Sequence, residues 1–277
     1  MASLELEARL DNLLATAQAE TANVALFAPI TEIEREECPI CLIRVSIDDN
    51  ETSFMPCCGK SICNGCTCIN ALTDYNNGVP VKEQKCAFCR QPPPKNIIKA
   101  LRKLMKKNNP HGFLHMARLY TVGQSVIQSD TKSLDMLIRA AEIGYANAYC
   151  KIGIHYQEGI AVEQDMSKTL EFWEVAAKKG SVLGHKLLLK FHGENGDIQT
   201  SIRHIKVTAS AGDKVAMDML MNMYKDKLVS KEDLTQTLRA YQTSSNEMKS
   251  KDRDDARALL AGQRDARDFM AERRTDV

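Results

Sequence analysis

Nine of the ten cysteines in this chain lie between Cys38 and Cys89, and no histidine lies among them. They run Cys38-x-x-Cys41, Cys57-Cys58, Cys63-x-x-Cys66, Cys68 and Cys86-x-x-Cys89. A two-residue spacer lets two thiolates converge on one tetrahedral zinc at about 2.3 Å. Three such pairs plus Cys57-Cys58 supply eight ligands, enough for two Zn2+ ions. Disulfides are the competing use of clustered cysteines. They belong to oxidising compartments, whereas a reducing compartment leaves thiols to bind metal. The start of the chain, MASLELEARLDNLL, is acidic and has no basic stretch ahead of an apolar one, so it does not read as a secretory signal. The expected setting is intracellular, cytoplasmic or nuclear, with the cysteines on metal.

Charge excludes little and favours little. Lys plus Arg is 37 and Asp plus Glu is 36 in 277 residues. This balance argues against nucleic acid as a general partner. No apolar run approaches the roughly 20 residues needed to span a bilayer, so no membrane partner is expected.

Five regions follow from composition and periodicity. Residues 1–30 place Leu6, Leu10, Leu13 and Ala17 on one helical face. That stripe packs on the cysteine module, on the downstream domain, or on a second copy of the chain. Ala28-Pro29-Ile30 ends this helix, and the cysteine module runs from Thr31 to residue 95, closing in Pro92-Pro93-Pro94. Residues 96–109, NIIKALRKLMKKNN, form a basic amphipathic linker helix. A solvated face is the favoured reading of its charges, ahead of a nuclear import signal or a phosphate contact.

Residues 110–245 repeat. Ala140-Ala141-Glu142-Ile143-Gly144 returns as Ala176-Ala177-Lys178-Lys179-Gly180, and more weakly as Thr208-Ala209-Ser210-Ala211-Gly212. Tyr120 and Tyr156, Gly123 and Gly159, and Lys132 and Lys168 are each 36 residues apart. Such a period marks stacked helical hairpins, about four of them here. Each hairpin has a first helix around the Tyr, a loop around the Gly and Asp165, and a second helix ending at Ala-Ala-x-x-Gly. Residues 246–277 form a charged capping helix around Ala256, Leu259 and Leu260, with a frayed tail.

The words Cys38-Pro39-Ile40-Cys41, Met55-Pro56-Cys57-Cys58-Gly59-Lys60-Ser61-Ile62-Cys63 and Cys86-Ala87-Phe88-Cys89-Arg90 resemble a RING-type zinc finger. The resemblance implies alternating ligand pairs: Cys38, Cys41, Cys63 and Cys66 on one zinc, and Cys57, Cys58, Cys86 and Cys89 on the other. Lys60 stands where many RINGs place a histidine. Cys57 then takes that ligand's place, with Cys68 in reserve. All-thiolate sites are closed, which sets aside zinc hydrolase chemistry. No catalytic residue is expected.

RING proteins usually act as ubiquitin ligases that orient a conjugating enzyme–ubiquitin thioester. Carried over by position, the contacts to the conjugating enzyme and ubiquitin would be Ile40, Leu72, Arg90 and Pro92, with Arg90 as the bridging arginine. Asn70 and Ala87 depart from the family pattern. The alternative is a non-enzymatic zinc-binding interaction scaffold. The repeats, through Tyr156, Gly159, Asp165, Lys168, Trp173, Ala176-Ala177 and Gly180, resemble Sel-one-like repeats, relatives of the tetratricopeptide family. This implies recruitment of a protein substrate or partner. The expected fold is a small zinc-stabilised α+β RING domain followed by an all-α solenoid of helical hairpin repeats.

Overall fold

The computed structural model describes residues 2–28, 36–45, 51–260 and 262. Three sequence expectations lie outside those residues: the Pro29-Ile30 helix break, the start of the cysteine module at Thr31, and the frayed tail. The chain divides into two compact units, Met1–Ile33 with Leu101–Ser244, and Glu34–Ala100 with Ser245–Val277.

The larger unit is a helical array. It contains α1 (Ala2–Glu20), most of α3 (Ile97–Met105), α4 (Pro110–Val122), α5 (Asp130–Glu142), α6 (Ala146–Glu158), α7 (Met166–Lys178), α8 (Val182–Glu194), α9 (Ile198–Ser210), α10 (Lys214–Lys225) and most of α11 (Lys231–Met248). From α4 to α10 each helix packs on the next. No helix among the described residues is long and apolar enough to cross a membrane.

The 36-residue period is a period of backbone geometry. Gly123 and Gly159 end α4 and α6 in the left-handed conformation, at φ 74° and 69°, where a residue without Cβ meets no steric penalty. Ser129 and Asp165 then cap α5 and α7 by accepting from the amides of Lys132 and Lys168. The amides of Ser129 and Asp165 in turn donate to the carbonyls of Tyr120 and Tyr156, at 3.0 and 3.1 Å. Lys132 and Lys168 place their ammonium groups over the Tyr120 and Tyr156 rings, 5.8 and 5.3 Å from the centroids. The matched tyrosines and lysines in the sequence are therefore partners across one loop.

Large buried side chains fill the array: Leu134, Ile138, Ile152, Phe172, Trp173, Leu188, Ile205 and Leu220. Trp173 is core, and its indole Nε1–H donates to the Cys150 carbonyl at 3.2 Å. The stripe on α1, Leu6, Leu10, Leu13 and Ala17, is buried, and α1 packs on α5 and α7. Its flanks are tied by Arg9 to Asp135 and Glu142, Lys168 to Asp11, and Lys179 to Glu20.

In the smaller unit, β1 (Thr52–Met55) and β2 (Lys60–Cys63) form an antiparallel hairpin in the register Thr52↔Cys63 and Met55↔Lys60. It leads into α2 (Asn64–Asn76), and a 3-10 turn follows at Val81–Glu83. The charged helix expected to cap the array is α12 (Lys251–Leu260). It belongs to this unit and packs on α2.

Candidate metal centre

Ten free cysteines are present and none is bridged. Eight of them form two groups of four: Cys38, Cys41, Cys63 and Cys66, and Cys57, Cys58, Cys86 and Cys89. Within each group the sulfurs all lie within 4.8 Å of one another. A regular tetrahedron around a metal at about 2.3 Å has sulfur–sulfur edges of about 3.8 Å. The Cys41–Cys63 and Cys58–Cys86 separations are 3.8 and 3.9 Å, and Cys57–Cys89 is 3.4 Å. Each cluster could hold a metal ion, and the all-sulfur donor set is one that zinc accepts.

The hairpin explains why the two groups interleave. Its tip turns through Pro56-Cys57-Cys58-Gly59, closed by the Gly59 amide donating to the Met55 carbonyl at 2.7 Å. Cys57 and Cys58 therefore sit at the tip. Cys63 ends β2 and serves as the N-cap of α2, with Cys66 in the first helical turn. A four-residue strand spans roughly 10 Å, too far for tip and base to share one ion. Ile62, fully buried, packs among the cysteines of both groups.

The two outer Cys-x-x-Cys words fold into the same turn. The Leu42 amide donates to the Cys38 carbonyl at 2.9 Å, and the Arg90 amide to the Cys86 carbonyl at 3.0 Å. The Cys38 amide donates to Ile43, and the Cys86 amide to Gln91, at 3.0 and 2.9 Å. Leu42 and Arg90, each directly after the second cysteine, both stand at φ 58°. A non-glycine residue adopts that conformation only when its surroundings compel it. Here the compulsion is a turn that aims two sulfurs at one point.

Burial and the neighbouring sulfurs shift the thiols of both clusters, most of them upward, although Cys38 and Cys89 are lowered by the hydrogen bonds they accept. Burial, then the charge of the neighbouring sulfurs, pushes the Cys66 thiol well above its usual range. Burial also raises Cys57 strongly and Cys58 to about 11. At Cys38, burial is outweighed by backbone hydrogen bonds at Cys41, Cys63 and Ile40, and the thiol falls to about 7. Four packed thiols resist accumulating charge together unless a divalent ion offsets it.

The remaining predicted residues are placed as follows. Cys68, on α2, lies outside both sulfur groups, and burial raises its thiol. Cys150 is buried in α6 with its sulfur 3.3 Å from the Ser181 hydroxyl. Lys60 is exposed at the start of β2. Ile40 is 41% exposed in the first turn, Leu72 is half-buried on α2, and Arg90 and Pro92 are exposed. Asn70 accepts a hydrogen bond from the Arg90 guanidinium through Oδ1, and its own amide donates to the Lys85 carbonyl at 3.1 Å.

One residue at the site carries no mark in the local sequence. Arg253, on α12, is buried against the first cysteine turn. Its guanidinium donates to the carbonyls of Ile43, Arg44 and Met248, and Nη2 lies 3.8 Å from Cys41 Sγ. Nothing in a run of alternating charges separates this arginine from its neighbours.

No known family profile matches the sequence, and no curated protein matches it. Among solved structures the chain is similar to a Sel1 repeat protein from Oxalobacter formigenes, at 24% identity and a TM-score of 0.45, covering 63% of this chain and 70% of that one. It is also similar to c5321, a protective antigen present in uropathogenic Escherichia coli strains that displays an SLR fold. That match is at 21% identity and a TM-score of 0.46, over 64% of this chain and 37% of that one. By its own architecture the chain is a helical-repeat protein carrying two four-cysteine clusters, each able to hold a metal ion.

Proposed function

We propose that this protein is a zinc-binding, protein-interaction scaffold: a two-zinc module of RING type joined to a helical array that engages a partner protein. The observation that carries this reading is the pair of interleaved four-sulfur groups. Cys38, Cys41, Cys63 and Cys66 would hold one zinc, and Cys57, Cys58, Cys86 and Cys89 the other. Four thiolates fill a tetrahedral ion and leave no position for a substrate or an activated water, so the metals would be structural. What the module then offers is surface. Ile40, Leu42 and Phe88 are exposed apolar side chains in its cysteine turns. A small unit with few large core residues depends on its metals for stability, by about 10–16 kcal/mol for structural zinc in finger peptides.

A second reading, ubiquitin ligation, is favoured by one local feature. Arg90 follows the last cysteine, is exposed, and is held by Asn70 from α2. A guanidinium so restrained suits bridging two bound proteins, because its donor fork loses less freedom on binding. The conjugating enzyme would rest on Ile40, Leu72 and Pro92, and rate enhancement would come from orientation alone.

Zinc content and autoubiquitination with a panel of conjugating enzymes separate the readings. Both expect two zinc ions per chain, and a value of one or none overturns the paired-site assignment. Ubiquitin transfer lost in Arg90→Ala at unchanged zinc content would establish the ligase. Absence of transfer across the panel by a fully metallated chain leaves the scaffold.

A further inference from the structure

We infer that Arg253 is a positioning residue for the first metal site, so that the C-terminal helix α12 belongs to the metal module although some 160 residues of sequence separate them. The inference rests on the zinc reading above. A zinc ion held by four thiolates carries a net charge of minus two. Burying such a charge is costly unless a cation and hydrogen-bond donors face it. Cys38, Cys63 and Cys66 of this site are buried. Arg253 supplies both requirements from outside the local sequence. It is 7% exposed, its Nη2 lies 3.8 Å from Cys41 Sγ, and the same nitrogen donates to the Ile43 carbonyl at 2.9 Å. Nη1 reaches the Arg44 carbonyl. Three residues of the four-residue stretch 41–44, namely Cys41, Ile43 and Arg44, are thus held by one planar fork. Groups of this kind orient ligands and restrain their charge.

A second, independent feature brings α12 into range. A Cβ at Gly65 would lie 2.9 Å from the Asp252 carbonyl carbon and 3.0 Å from the Arg253 amide nitrogen. Gly65 sits between ligands Cys63 and Cys66, so the missing side chain is what lets the backbone of α12 touch the first turn of α2. Two further contacts tie this C-terminal segment to the same unit: Arg257 grips Glu51 at 2.8 and 3.0 Å, and Glu247 accepts from Arg44 at 3.1 Å.

The test is site-resolved alkylation of the zinc-loaded full chain under a fixed excess of chelator, read by mass spectrometry. In Arg253→Gln, Cys38, Cys41, Cys63 and Cys66 should be modified at least about tenfold faster than in the unaltered chain. Cys57, Cys58, Cys86 and Cys89 should keep their rate. Arg253→Lys, which keeps the charge and loses the fork, should fall between. Lys249→Gln, exposed just ahead of α12 and bonded among the described residues only to nearby Asn246, should leave both groups unchanged. Equal rates in Arg253→Gln and the unaltered chain would overturn the inference. Equal acceleration at both groups would overturn it too, since that marks general loosening. An unaltered chain with neither group protected would remove the zinc reading itself, and the inference with it.

Discussion

At Gly153 there is no room for one more carbon atom. A Cβ there would lie 2.5 Å from both Cδ1 and Nε1 of Trp173, whose indole is fully buried and bonded to Cys150 in the same helix. Gly153→Ala should lower the stability of the array by about 1–3 kcal/mol, the usual cost of overpacking a filled core. Gly193 is also helical, but its Cβ would meet only the Ser201 hydroxyl at 3.4 Å. Gly193→Ala should be neutral or stabilising by up to about 1 kcal/mol through helix propensity. Chemical denaturation of the two variants checks the contrast, and a shared sign would refute it. The same scale accounts for Asn70. By sequence it departs from the pattern of a binding surface. In the fold it holds the guanidinium of Arg90.

Among elements, α1 and the β1–β2 hairpin each solve a burial problem. The apolar stripe of α1 has no counterpart within its own turn of chain, so it requires another surface. That surface is α5 and α7, with Leu10 completely buried at the contact. Leu10→Asp would bury an unpaired carboxylate, which the helix avoids by leaving. The expected result is rapid proteolytic trimming of the first ~28 residues while the repeat helices keep their circular dichroism; resistance equal to the unaltered chain would show that α1 is held by its ion pairs instead. The hairpin sorts cysteines between two ions because its tip and base are separated by a whole strand. α12 returns to the hairpin's unit through the backbone contact at Gly65.

For the molecule as a whole, the response to acid is written into buried imidazoles. His185 and His204 face each other through their Nδ1 atoms at 2.9 Å. His192 stacks on His204 and lies 3.5 Å from Asp197, and Phe27, under Arg203, covers the His204 ring. Burial holds His185 down at about 4 and His204 at about 3; the neighbouring imidazoles of His185 and His192 add to the effect at His204. His115 is likewise lowered to about 4 by burial. The sign follows from linkage. An unfolded chain takes up protons on these rings below about pH 6.5, and the folded chain does not until near pH 4. Their contribution to stability is therefore full above pH 6.5 and drains away as the pH falls toward 4. Melting temperature measured from pH 7.5 to 5 should fall more steeply for the unaltered chain than for His204→Gln. Parallel slopes would show that His204 is not part of this response.

Much of this was legible in the sequence, and the boundary has a physical cause. Two-residue spacings and a 36-residue period are local facts. They determine which sulfurs share a turn, where helices end, and which Tyr meets which Lys, because those contacts form within one turn or one loop. The left-handed glycines and the Ser129 and Asp165 caps belong to the same class. Only tertiary structure decided that α1 lies on α5 and α7, that buried His185 and His204 face each other, and that Arg253 faces Cys41 from 212 residues away. Contacts between distant segments leave no spacing to read. They exist because a helix with an apolar face, or a site with excess charge, needs a partner, and the folded chain alone determines which partner is within reach.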